Sequence, residues 1–183
     1  SSNSFGTVGY SKTDTTGIQH IGLGVTSTGS VMTMPITGSH LLRFDTSGNL
    51  GSNFPLGFSL DGGGMDIDEA SDTIYVIKRD TMELRVFNMA GTETHQVQMG
   101  STGGILGTGI SISKNSNSIT ALGNNKVLIR YQNGTDPNDE FAAIIDVTTD
   151  TVIQTLTLSG NPTYQGTLAY RNGYVYVPSS IGS

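Results

Sequence analysis

The chain has 183 residues, no cysteine, nine Lys and Arg against fifteen Asp and Glu, and a net charge of -6. Without cysteine there are no disulfides, thiolate metal sites or cysteine nucleophile, and nine scattered cations give no stripe to neutralise phosphates, so nucleic acid is not an expected partner. No run of about 18 apolar residues is present, so no membrane-spanning helix is expected.

In chain order, a phrase of 42 to 45 residues recurs. The first copy reads "GLGVTSTGSVMTMP…LLRFDTSGN" from Gly22 and the second "GMDIDEASDTIYVI…LRVFNMAGT" from Gly64. The third reads "GISISKNSNSITAL…AAIIDVTTD" from Gly109, and a shortened "GTLAYRNGYVYV" starts at Gly166. Repeats of this length built from four short strands are the signature of β-propeller blades. The fold class expected is therefore all-β, about three and a half four-stranded repeats forming part of a larger ring. Residues 1–17 are a leading segment with one outer strand expected near Phe5 to Tyr10, and the blades are expected over 18–61, 62–104, 105–160 and 161–183. Val25, Ile67, Ile112 and Ala169 are expected on four inner strands.

The second copy is the clearest. Met65 to Asp68 is a first strand, Ala70 to Asp72 a turn, Ile74 to Lys78 a second strand, Leu84 to Asn88 a third and Gln96 to Met99 a fourth, with apolar residues alternating as half-buried strands require. No segment carries a capped apolar stripe at helical period, so helix is expected to be nearly absent. Each third strand ends in Asp45, Asn88 or Asp146 followed by a tight turn, because Asp and Asn side chains bond the backbone two residues on.

The second copy resembles an NHL-type blade, and "AAIIDVTTDTVIQTLTLSGNP" resembles the third and fourth strands of a YVTN-type surface-protein blade. The resemblance implies a propeller but no particular activity. Asp68 stands where such blades carry a structural Asp closing the first strand.

Ile67 and Asn88 are 21 residues apart, whereas Ile112 and Asp146 are 34 apart. Thirteen extra residues are thus expected between the second and third strands of the third blade, within Gly123 to Glu140. A protruding hairpin is the easiest way to add them, because a fifth regular strand would reverse everything downstream. That loop would share a ring face with the links between blades. Binding residues concentrate on loops held by a rigid scaffold, and this face offers Arg130, Tyr131, Gln132, Asn133, Asp136, Asp139, Tyr164 and Gln165. Aromatic rings beside amides and carboxylates suit sugars or polar peptides.

Asp136, Asn138, Asp139 and Glu140 bring hard oxygen donors close together, as calcium requires, although the run lacks the Gly and the distal Glu of a complete calcium loop. No other cofactor is expected. Asn133-Gly134-Thr135 fits an N-glycosylation sequon. His20, His40 and His95 fall at different places in their repeats, and no nucleophile motif accompanies them.

The function expected is a non-catalytic recognition or structural module that binds a glycan or protein through one face. The alternative is a propeller-type metal-dependent hydrolase or lactonase with catalytic residues partly outside this segment. A surface rich in Ser, Thr, Asn and Gly with only 13% charged residues suits an extracellular, cell-surface or virion setting. The chain starts without Met and stops two strands into its last repeat, so other chains or further sequence are expected to complete the ring.

Overall fold

A computed structural model describes residues 19–114, 116–134, 140–158 and 168–176. The expected leading strand near Phe5 lies outside them. The chain is all-β, and the one helical element among the described residues is a 3-10 turn, Glu69–Ser71.

Four antiparallel sheets follow one another along the chain. The first joins β1 (His20–Val25), β2 (Val31–Pro35), β3 (Thr37–Phe44) and β4 (Phe54–Asp61) in chain order, and the second joins β5 (Met65–Asp68), β6 (Thr73–Lys78), β7 (Glu83–Asn88) and β8 (Glu93–Gln98) likewise. In the third, a two-residue strand β9 (Ile110–Ser111) precedes β10 (Ile119–Gly123), β11 (Lys126–Asn133), β12 (Glu140–Asp146) and β13 (Thr151–Leu158). The fourth comprises β14 (Ala169–Arg171) and β15 (Tyr174–Tyr176). The first strands lie side by side, β1 on β5, β5 on β10 and β10 on β14, and among the described residues the sheets do not close into a ring.

The sheets stack face to face, which explains why central strands read as unbroken apolar runs. In β6, Ile74 and Val76 enter the seam with the first sheet, while the alternate residues Tyr75 and Ile77 enter the seam with the third. In β11, Val127, Ile129 and Tyr131 face the second sheet and Leu128 faces the fourth. Fully burying such a side chain contributes about 1.5–3 kcal/mol, so these seams supply the main stabilisation. Of the three turn residues, Asp45 and Asp146 bond the backbone two residues on as expected, whereas Asn88 reaches four residues on. Asp45 Oδ1 accepts from Ser47 N at 2.9 Å, Asn88 Oδ1 from Thr92 N at 2.9 Å and Asp146 Oδ1 from Thr148 N at 2.9 Å.

The third sheet corrects the sequence alignment of its repeat. Val25, Ile67 and Ala169 do lie on inner strands, but Ile112 lies in the link. The first strand of this blade is β10, where Ile119, Thr120 and Ala121 pair with Ile129, Leu128 and Val127. Gly123-Asn124-Asn125 is the hairpin turn between first and second strands, with Asn124 and Asn125 at φ 52° and 57°. β11 is therefore the regular second strand, and most of the extra residues fall in the link between β8 and β10. "GISIS" imitates an inner strand because Ile110 and Ile112 alternate to plug the seam, being 8% and 2% exposed. Only Ile110 and Ser111 find ladder partners, Asn133 and Gln132 at the far end of β11.

Candidate functional site

The link from Met99 to Ser118 crosses the end of the second blade and is tied down by its own backbone. Asn117 Oδ1 accepts from the buried Met65 N at 2.9 Å, and Ser118 N donates to Gly63 O at 3.0 Å. The segment it meets, Gly62-Gly63-Gly64, has φ of 78°, 107° and 130°. A Cβ at Gly62 would overlap the main chain of Lys114, so glycine is required there both for conformation and for close approach. On the other side, Arg130 N donates to Ser118 O at 2.9 Å and Gly134 N to Gly109 O at 2.6 Å.

These ties enclose a cavity of about 300 Å³ lined by Arg79, Ser111–Lys114, Ser116, Ser118, Arg130–Gln132 and Glu140. Its charges are arranged in two groups. In the first, Asp61 holds two cations, with Arg79 Nη1 2.7 Å from Oδ2 and Lys114 Nζ on Oδ1, while Arg79 Nε donates to Ile112 O at 2.8 Å. The Lys114 hydrogen bond holds the Asp61 carboxyl below its ordinary range; burial opposes it as the next largest effect, and the charges of Lys114 and Arg79 add to the lowering. In the second, Arg130 grips Glu140 in a two-pronged pair, Nε to Oε1 at 2.6 Å and Nη2 to Oε2 at 2.7 Å. The pair is 7% and 13% exposed, and its planar geometry is what guanidinium and carboxylate favour.

Of the residues picked out from the sequence, Arg130, Tyr131, Gln132 and Glu140 come together on this cavity. Asn133 is exposed at the end of β11 beside it, and Asp136, Asn138, Asp139, Tyr164 and Gln165 lie outside the described residues. Tyr131 is only 8% exposed, and its ring stacks on Phe141 with centroids 5.5 Å apart and planes at 24°. Burial pushes its hydroxyl pKa up. It contributes packing and part of one wall rather than an open stacking surface. Glu140 has both oxygens occupied by Arg130. Among the described residues no three His, Asp or Glu side chains gather as a metal site.

Arg79, Lys114 and the serines of the link were not anticipated. For Lys114 and the serines the signal was the polar density of "SISKNSNS", which reads better as a loop than as an inner strand. The histidines lie apart from one another: His20 Nδ1 is 3.0 Å from Thr33 Oγ1, His40 Nδ1 3.0 Å from Ser39 Oγ, and His95 Nε2 2.7 Å from Asp150 Oδ1.

No protein-family model and no curated protein matches the chain. Among solved structures, it is similar to virginiamycin B lyase from Staphylococcus aureus, with 12% identity and a TM-score of 0.51 over 82% of this chain and 45% of that one. Weaker similarities reach a protein of unknown function from Bacteroides caccae, with 14% identity and a TM-score of 0.49 over 77% of this chain and 47% of that one, and hydrazine synthase of Kuenenia stuttgartiensis, with 8% identity and a TM-score of 0.46 over 84% and 53%. The chain thus spans about half the length of the structures it matches. The sheet order, the face-to-face seams and the first of these similarities agree that this chain has a β-propeller-like fold.

Proposed function

We propose that the chain is a non-catalytic recognition module, of the NHL or YVTN kind of propeller, that acts outside the cell or on a virion and binds a glycan or protein through the face carrying the link. The observation that carries this reading is the cavity itself. It is walled by hydroxyls, an amide and paired charges, and it is held by backbone bonds from two blades, which makes it a preformed polar recess of the size that small ligands and single ligand residues occupy. The sparse charge and the Ser, Thr and Asn surface support the extracellular setting. A neighbour that completes the ring is supported by β1, whose Leu23 and Val25 are 59% and 58% exposed on the side facing away from the second blade.

The experiment is a glycan and peptide binding screen of the chain beside a Ser116→Ala/Ser118→Ala variant, which alters the recess without touching the seams. Hits that weaken in the variant support the reading. Hits bound equally by both proteins, or turnover of an ester or lactone with a metal requirement, would overturn it.

A further inference from the structure

We propose that the cavity recognises a sugar unit bearing a single carboxylate, such as a uronic or sialic acid; this rests on the recognition reading above and names its ligand class. Three observations lead to it.

The first is charge. Arg130 is paired with Glu140, whereas Asp61 faces both Arg79 and Lys114, and one carboxylate neutralises one cation. A surplus of one positive charge is left among the described residues at the cavity, on side chains that are 29% and 45% exposed. Arg79 commits only Nε and one Nη1 contact to the protein, so further N–H groups of its planar fork are available for a carboxylate. A monoanion matches this surplus, whereas a phosphate monoester near two negative charges exceeds it.

The second is hydroxyl chemistry. Ser116 and Ser118 line the cavity while being only 5% and 1% exposed. A hydroxyl both donates and accepts, and a polyhydroxylated ligand offers groups of both kinds to such a wall.

The third is the state of the aromatic wall. Tyr131 is the aromatic residue lining the cavity, and Phe141 covers one face of its ring. A neutral sugar usually presents its C–H face to an open ring, and Tyr131 at 8% exposure has little to offer. Recognition here falls to charge and hydrogen bonds.

The test is a titration of the ¹⁵N-labelled chain with N-acetylneuraminic acid, glucuronic acid, the methyl ester of glucuronic acid and glucose. The parent should bind the two acids at least about tenfold more tightly than the ester and glucose, the worth of one charge-assisted hydrogen bond, with shifts centred on residues 111–118 and 130–132. Lys114→Gln should remove most of that preference and flatten its salt dependence. Ser116→Ala/Ser118→Ala should weaken the acids about tenfold or more with the melting temperature unchanged. Equal binding of acid and ester at this cavity would overturn the acidic-sugar assignment and leave a recognition site standing. If none of the four probes shifted residues 111–118, the assignment would fall, and the peptide arm of the screen would then decide the broader reading separately.

Discussion

Asn117 offers the sharpest test of how the site is built. Its side-chain oxygen is the acceptor for Met65 N at 2.9 Å, and Asn117 and Met65 are 5% and 0% exposed. In Asn117→Ala the Met65 N–H is left in the inter-blade seam with no acceptor and no route for bulk water. An orphaned buried donor costs about 1–3 kcal/mol, and full burial places this one near the middle or upper part, about 2 kcal/mol. For a domain of this size that corresponds to a fall in melting temperature of about 4–8 °C. Calorimetry or thermal circular dichroism reads the shift directly, with Asn49→Ala, whose amide bonds Asp45 at the exposed surface, as a comparison expected to stay within about 0.5 kcal/mol. Because Asn117 lies between the two cavity serines, the variant should also lose hydrogen-exchange protection at Ser118 N, which donates to Gly63 O. A variant as stable as the parent, with Ser118 still protected, would show that the link is held by something other than this bond.

Three further outcomes follow from the same geometry. Glu140→Gln removes one member of a buried two-pronged pair and should cost about 3 kcal/mol in urea denaturation, with much of it recovered in a Glu140→Gln/Arg130→Met double variant; a single variant within about 0.5 kcal/mol of the parent refutes the pair's role. Gly62→Ala should destabilise by at least about 1 kcal/mol more than Gly57→Ala, because both glycines have positive φ but of the two only Gly62 has main chain where the new Cβ would fall; equal midpoints would refute the close approach. Asp66 joins two blades, accepting from Ala121 N at 2.8 Å and Thr120 Oγ1 at 3.1 Å, and burial holds its carboxyl above the ordinary 3.8. The folded chain therefore binds that proton more tightly than the unfolded one, so this contribution to stability is complete below about pH 3.8 and is lost as pH rises through the folded value. The stability of Asp66→Asn relative to the parent should accordingly rise between about pH 4 and pH 7, and a flat difference would refute the shift.

What the sequence determines by itself is the repeating unit. The strands of the second blade are legible because its apolar residues, turn formers and αL positions agree; Asp72, at φ 55°, closes the turn the sequence announces. Local chemistry also sets the roles of Asp45 and Asp146, since an Asx turn needs only its own neighbours, and Asn88 closes its turn just as locally on Thr92 N. The face on which the links between blades emerge is legible for the same reason, because antiparallel order fixes which loops emerge together.

Tertiary structure decides the rest. Ile110 and Ile112 look like an inner strand because a buried link and a buried strand both require alternating apolar residues, and only the partner strand distinguishes them. Ile119 wins that partner by its register with Ile129. The same limit hid Arg79, Lys114 and Asp61, which are far apart in sequence and meet because the link folds back over the end of the second blade. Tyr131 reads as a surface ring and is a seam residue, since the second blade covers it. Which side of a strand is covered depends on the neighbouring blade, and that contact is made between residues that no local pattern connects.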